Sequence, residues 1–349
     1  MKYISVLVFL LIVLGCSKNQ PHNPLITPVK VLPVPVNILA VNFAKGADIS
    51  WITQMESNSV KFYSSAGVEQ DIIQILKDKG MNSIRLRVWV NPAGGWCNKA
   101  DILVKALRAK ALGLRIMIDF HYSDFWADPG KQNKPATWVG LDIHKLDSAV
   151  SAHTTDVLTT LHINGIRPEW VQIGNETNDG MLWDEGRASK SMTNFASLIN
   201  AGYTAVKAIN SSIKVVVHIS NGYDNSLFRY MFDGLKAAGA KYDVIGMSLY
   251  PSATNWADLD TQCLANMNDM VNRYGRQVMV CEVGMDVNAP AASKAFLTDI
   301  IKKVNSIPGG NGLGVFYWEP EAYNWQNYSL GAFDDTGKPT IAMDAFLIQ

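Results

Sequence analysis

The chain has 349 residues, 48% of them hydrophobic and 18% charged, a globular composition that excludes a disordered or fibrous protein. Lysine plus arginine and aspartate plus glutamate are 31 each, so there is no basic field to draw in a polyanion, and nucleic acid is not an expected partner. The 10 Trp, 12 Tyr and 12 Phe supply flat faces that stack on sugar rings as well as fill a core.

The first residues read as a targeting segment. Lys2 precedes an apolar run over residues 4–14 that is short for a membrane span. Val13-Leu14-Gly15-Cys16 resembles a bacterial lipobox, in which the cysteine is lipidated and becomes the mature N-terminus. Residues 1–16 are therefore expected to be a lipoprotein signal peptide, with lipid on Cys16. Residues 17–36 carry Pro21, Pro24, Pro28, Pro33 and Pro35, a stiff, extended tether. A lipid-anchored protein of the bacterial cell envelope is the expected setting, outer-membrane and facing either the periplasm or the surface.

From residue 37 to 349, short apolar runs alternate with amphipathic stretches. Strands are expected at 38–44, 82–89, 115–121, 169–175, 213–219, 243–250, 277–283 and 313–319. Several are almost wholly apolar, which suits parallel strands buried on both faces. Between them Val68, Ile72, Ile75 and Leu76 mark one helical stripe. Leu103, Ala106 and Leu107 mark another, and Val150, Val157 and Leu161 a third that ends at Asn164-Gly165. Eight strands alternating with helices predict an α/β fold, a (β/α)8 TIM barrel forming a single catalytic domain. The glycine-rich run at 309–314 precedes a strand, so it is a loop and not a dinucleotide cradle.

Active sites of such barrels form at the C-terminal ends of the strands. The fourth strand closes in Asn175-Glu176 and the seventh in Glu282. Apolar walls raise a carboxyl pKa, and two converging glutamates are what glycoside hydrolysis needs. Carboxyls about 5–5.5 Å apart retain anomeric configuration and those about 6.5–9.5 Å apart invert it, so the pair by itself leaves both routes open.

Asn-Glu closing the fourth strand resembles the large clan A of retaining glycoside hydrolases. That resemblance implies Glu176 as acid/base, Glu282 as nucleophile and Asn175 as ligand of the sugar 2-hydroxyl. Further segments narrow it. These are Lys45-Gly46-Ala47-Asp48-Ile49-Ser50-Trp51, Arg85-Leu86-Arg87-Val88-Trp89-Val90-Asn91-Pro92, and Asp119-Phe120-His121-Tyr122-Ser123-Asp124-Phe125-Trp126-Ala127-Asp128-Pro129. Together with Gln172-Ile173-Gly174-Asn175-Glu176 and Tyr317-Trp318-Glu319-Pro320, they are similar in order and content to glycoside hydrolase family 53. The resemblance spans residues 40–335. It implies an endo-β-1,4-galactanase acting on the galactan of pectic arabinogalactan type I, without a catalytic cofactor. The other readings are a different clan A β-glycanase, for mannan or xylan, and a lipid-anchored protein that binds glycan without cutting it.

Further residues receive expected roles. Arg85 and Arg87 share one face of the second strand, and an arginine beside the nucleophile would hold it ionised. Arg87, nearer the strand's C-terminal end, is the first choice. His121 is expected to bond sugar or position Glu176, with Asp119 in support. Tyr250 is expected to donate to Glu282. Trp318 is the expected floor of the cleavage subsite, and Trp89 and Trp126 are candidates for more distant ones. Asp48 is carried over from the first-strand motif. Some bacterial members of the family hold calcium in a long acidic loop after the seventh strand. Here residues 284–290 offer only Asp286, so such a structural calcium is doubtful and no metal ligand is assigned. Cys97, Cys263 and Cys281 are odd in number, which permits at most one internal disulfide, and Cys281 reads as a buried thiol. A monomer is expected.

Overall fold

The computed structural model describes residues 39–349 apart from Val41 and Asn324. The signal peptide, the lipidation site at Cys16 and the tether lie outside the described residues. Eight parallel strands close a barrel in the order of the chain. They are β1 (Ala44–Asp48), β2 (Ser83–Val88), β3 (Arg115–Phe120), β4 (Trp170–Ile173), β5 (Lys214–Ile219), β6 (Val244–Leu249), β7 (Gln277–Val283) and β8 (Gly312–Trp318). The helices run α1 (Ile52–Ser57), α2 (Ile72–Asp78), α3 (Lys99–Ala111), α4 (Ile143–Ile163), α5 (Met192–Ile209), α6 (Asn225–Ala237), α7 (Trp256–Tyr274) and α8 (Pro290–Asn305). This is the (β/α)8 barrel expected from the sequence.

Helix α4 shows how the sequence writes an outer element. Asp142 caps it by accepting from Lys145 N–H, and Leu146, Val150, Val157 and Leu161 turn one face to the barrel. Gly165, at φ +70°, releases the chain toward β4.

Three expectations about elements are corrected. The first strand is Ala44–Asp48, not residues 38–44. Its Lys45, Gly46 and Asp48 break the apolar pattern that marks the other strands, whereas Leu39 and Phe43 before it are buried without strand pairing. Gly46 has a packing reason, since a Cβ there would fall 2.3 Å from the ring of Phe316, its partner on the neighbouring strand β8. Likewise Val68 is 63% exposed and precedes α2, which starts only after its Asp71 cap. Leu107 also faces outward, and α3 buries Ile102, Ala106 and Ala109 instead.

The barrel interior has two layers. The lower is an apolar plug of Ala44, Met117, Trp170, Val216, Val244, Met279, Cys281 and Phe316. Above it, toward the C-terminal strand ends, the inward residues become Asp48, Arg85, Asp119, Gln172, His218, Ser248 and Glu282, every one buried. The site is built on this upper layer. Cys97, Cys263 and Cys281 are all buried free thiols, so none of them forms a disulfide with another.

Candidate active site

Strand alternation alone would not deliver both glutamates to the barrel mouth. In β7, Met279 and Cys281 point inward to the plug, so strict alternation would turn Glu282 outward. The β6–β7 register slips between Met247 and Ser248, so that Met247 pairs with Val280 but Ser248 with Glu282. This irregularity brings both Cys281 and Glu282 inside. Gly246 makes the slip possible, because a Cβ there would come 2.7 Å from Cys281 Sγ. In β4, Trp170 and Gln172 face inward and Ile173 outward. Gly174, at φ +80°, then turns the chain. A Cβ on Gly174 would meet Thr177 at 2.6 Å, so glycine is required on two counts. Glu176 follows at φ +46°, a left-handed conformation costly for a residue with a side chain.

Both glutamates line one cavity of 340 Å³, together with His121, Trp126, Asp128, Asn175, Tyr250, Trp318 and Tyr328. Glu282 Oε1 lies 2.9 Å from Arg85 Nη1, and Tyr250 OH donates to Oε2 at 2.9 Å. Glu176 has a different setting. Its Oε1 meets only the Ser248 hydroxyl, at 2.6 Å. Burial raises both carboxyls and Arg85 opposes the rise in each; Glu282, which also feels the charge of Glu176, is pushed up to about 8. The guanidinium and the phenol favour charge on Glu282, whereas Glu176 has a single neutral hydroxyl.

Arg85, not Arg87, therefore holds the seventh-strand carboxylate, which corrects the first choice made from strand position. Arg85 is fully buried, with Nη1 also 2.8 Å from Asp48 and Nη2 2.9 Å from Asp119. Its remaining N–H groups reach Gln172 Oε1 and Asn175 Oδ1. Arg87 instead pairs with Glu319 at 3.2 Å and lies 4.1 Å from the centre of the Trp126 ring, which it supports from beneath. Asp48 is wholly enclosed, bonded to Arg85 and to Ser50, and so acts as a strut for the arginine.

Burial on its own would raise Asp119, but Arg85 and His121 more than offset it and hold the carboxyl below the usual range. Burial also lowers His121, which keeps its imidazole neutral. Its Nδ1 accepts from Trp89 Nε1 at 3.2 Å and from Ala127 N–H at 3.1 Å, so Nε2 carries the hydrogen, 3.0 Å from Asp119. Asn175 Nδ2 donates to Ala127 O, which leaves its second amide hydrogen for the cavity.

Trp318 is half-buried at the cavity wall, with its ring packed edge-on against Tyr328, Trp51 and Trp126. Trp89 and Trp126 line an adjoining cavity of 550 Å³ with Trp51, Trp96 and Phe125. On the opposite flank a polar cavity of 430 Å³ is lined by Ser220, Asn221, Tyr223 and Asn255, and it shares Glu176 and Tyr250 with the central one.

Sequence reasoning passed over Gln172, His218, Ser248, Trp51 and Tyr328. A signal existed for the first three. Each is a polar residue inside a strand at a position that alternation turns inward, so each had to be satisfied within the barrel.

A (β/α)8 barrel with two glutamates converging at its C-terminal mouth, one held by arginine, is the arrangement of a glycoside hydrolase. The comparisons carry this further. The chain belongs to glycosyl hydrolase family 53, whose profile matches residues 44–346. A probable arabinogalactan endo-beta-1,4-galactanase A of Aspergillus terreus is 35% identical over 312 residues, covering 82% of this chain and 88% of its own. The solved family 53 catalytic domain of Ignisphaera aggregans matches with a TM-score of 0.81 at 30% identity, over 90% of this chain and 98% of its own. A solved structure of fungal beta-1,4-galactanases also gives 0.81, at 29% identity, over 88% and 99% of the two chains.

Proposed function

We propose that the protein is a retaining endo-β-1,4-galactanase in which Glu282 is the nucleophile and Glu176 the acid/base. The observation that carries the assignment of roles is the asymmetry of partners, with Arg85 and Tyr250 on Glu282 and a single hydroxyl on Glu176. Glu282 attacks the anomeric carbon and the glycosidic C–O bond breaks. The proton of Glu176 goes to the departing oxygen. Ionised Glu176 then takes a proton from water as that water attacks the same carbon, and Glu282 is released with net retention. The free Asn175 amide hydrogen faces the sugar 2-hydroxyl in this scheme, and Trp318 supports the ring. None of these steps calls on a cofactor.

The polar cavity borders the proton donor, so it takes the leaving-group side. The aromatic cavity then takes the glycosyl side. Cavities on both flanks of the cleavage point favour an extended chain and cutting within it. The galactan specificity rests on the family and on the names of the relatives. Linear β-1,4-galactan, with products separated by chromatography and the first anomer read by NMR, tests the whole reading. Short galacto-oligosaccharides released as the β-anomer are expected. Release of the α-anomer first would overturn retention, and turnover of mannan or xylan in place of galactan would overturn the substrate.

The lipobox at Cys16 and the proline-rich segment behind it support a further reading, that a lipid holds the barrel at the bacterial envelope. Cys16→Ser should move the enzyme from the membrane fraction to the soluble one. An unchanged distribution would remove the anchor.

A further inference from the structure

His218 is a wholly buried histidine inside the barrel, and no step above uses it. It stands on β5 opposite Gly246 of β6, two residues below Ser248. Its Nε2 is 2.8 Å from Ser248 Oγ, and that hydroxyl is 2.6 Å from Glu176 Oε1. On the other side of the ring, Nδ1 lies 2.9 Å from Asn175 Oδ1, 3.1 Å from Gln172 Nε2 and 3.4 Å from the Glu176 backbone N–H. The imidazole thus touches both the backbone of Glu176 and, through Ser248, its carboxyl. Burial and Arg85 keep the ring neutral. A neutral imidazole has one donor and one acceptor nitrogen; the Glu176 N–H and the Gln172 amide face Nδ1, which makes it the acceptor and puts the hydrogen on Nε2.

We propose that Ser248 and His218 are positioning residues for Glu176, forming a hydrogen-bond relay directed at its carboxyl in both steps of the reaction. The proposal rests on Glu176 being the acid/base. With hydrogen on His218 Nε2, the ring donates to Ser248, whose own hydrogen then points to Glu176 Oε1. That arrangement stabilises the ionised carboxylate, the state that activates water. When Glu176 carries a proton on its other oxygen, the Ser248 hydroxyl goes on donating to Oε1, so the tautomer of the ring is unchanged through the reaction. Neither state of the carboxyl leaves Oε1 unpartnered. A buried oxygen without a partner is costly, more so when charged. A charged donor such as lysine would favour the ionised state alone, whereas a neutral hydroxyl leaves Glu176 able to carry the proton.

Other charged and titratable groups face Glu176 as well. They are Arg85 on β2, Asp119 on β3, Asp128 in the loop beyond it, Tyr250 just past β6 and Glu282 on β7. All remain in a Ser248 variant, so a change in pH dependence there reports the relay.

The test compares wild type with Ser248→Ala, Ser248→Thr and His218→Gln, each checked for folding by thermal melting. Ser248 borders the polar cavity, so the added methyl of threonine has space. Loss of the hydroxyl penalises ionised Glu176 more than the protonated form. Ser248→Ala should therefore move the basic limb of kcat/KM on galactan upward by about half to one pH unit. It should also lower kcat about tenfold while KM stays within about twofold. Ser248→Thr should restore the limb. His218→Gln, which keeps both a donor and an acceptor near Ser248, should lie between alanine variant and wild type. A Ser248→Ala enzyme with an unmoved basic limb overturns the relay, whatever its kcat. So does a folded threonine variant that behaves as alanine does. Failure of the acid/base assignment itself looks different, because Glu176→Gln would then lose equally on galactan and on an aryl galactoside with a good leaving group.

Discussion

Glu176 leaves β4 through a glycine turn, with its own backbone at φ +46°, and its carboxyl meets one neutral hydroxyl. Glu282 stays within β7, is turned inward by a slipped register, and meets a guanidinium and a phenol. Both follow apolar strands, and burial raises both carboxyls. The difference lies in what each one touches. The proposed division of two chemically identical side chains into nucleophile and acid/base rests on a charged partner on one side and a neutral one on the other. Arg85 is central to this division. It is fully buried, and it answers Asp48 and Asp119 as well as Glu282. Those two aspartates hold the guanidinium where the third carboxylate needs it.

The comparison breaks most severely at Glu282. Without a nucleophile the double displacement has no first step, and Glu282→Ala should lose on the order of 10⁴-fold or more in kcat on every galactoside, whatever its leaving group. Glu176→Ala should behave differently, losing about 10²- to 10⁴-fold on galactan. Its glycosylation step should be largely spared on an aryl galactoside, whose departing oxygen needs no proton. Assays of both variants on both substrates check the pair together. Matching patterns would mean that the two glutamates are not divided as their partners indicate.

The arginines of β2 provide the next contrast. Arg85→Lys keeps one charge but loses the planar fork that spans three carboxylates, whereas Arg87→Lys disturbs a pair with Glu319 and the underside of Trp126. Removing one partner of a buried ion pair costs about 3–5 kcal/mol, and a short lysine in place of Arg85 should lose a substantial part of that. Thermal melting should show Arg85→Lys clearly less stable than wild type, and its acid limb of kcat/KM should rise as Glu282 loses its countercharge. Arg87→Lys should leave that limb in place. A shifted acid limb in Arg87→Lys would return Arg87 to the role its sequence position suggested.

That misplaced choice shows where sequence reading reaches its end. The barrel was legible because seven of its strands are apolar and regularly spaced. The first was displaced because β1 carries Lys45, Gly46 and Asp48, residues selected by the site and by the Phe316 ring. Glu176 and Glu282 were legible because each closes an apolar strand. Which arginine meets Glu282 depends on height within the barrel, and height depends on the stagger of neighbouring strands and on the β6–β7 slip, neither of which is written as a local pattern. His218 and Ser248 were passed over for a simpler reason. Attention to strand ends misses polar residues one layer down, although the alternation that places Val216 inside the barrel places His218 there too.

The smallest expected effect separates the two strand ends most cleanly. Tyr250→Phe removes one hydrogen bond to Glu282 Oε2 and leaves Arg85 in place. A hydrogen bond to a charged group contributes about 1.5–3 kcal/mol, which corresponds to about ten- to a hundredfold in rate if the bond is strongest while Glu282 is ionised. The sign on pH follows from the same bond. Its loss penalises the carboxylate, raises the Glu282 pKa and moves the acid limb of kcat/KM upward, because the nucleophile must be ionised to attack. Ser248→Ala penalises the Glu176 carboxylate and moves the basic limb upward, because the acid must be protonated to donate. Two small deletions at neighbouring positions of one strand end should therefore shift opposite sides of the same bell-shaped profile. The two carboxyls line one cavity, so each limb responds somewhat to both changes. If Tyr250→Phe moved the basic limb more than the acid one, the proton of the resting pair would belong on Glu282, and the assignment of the two glutamates would be reversed.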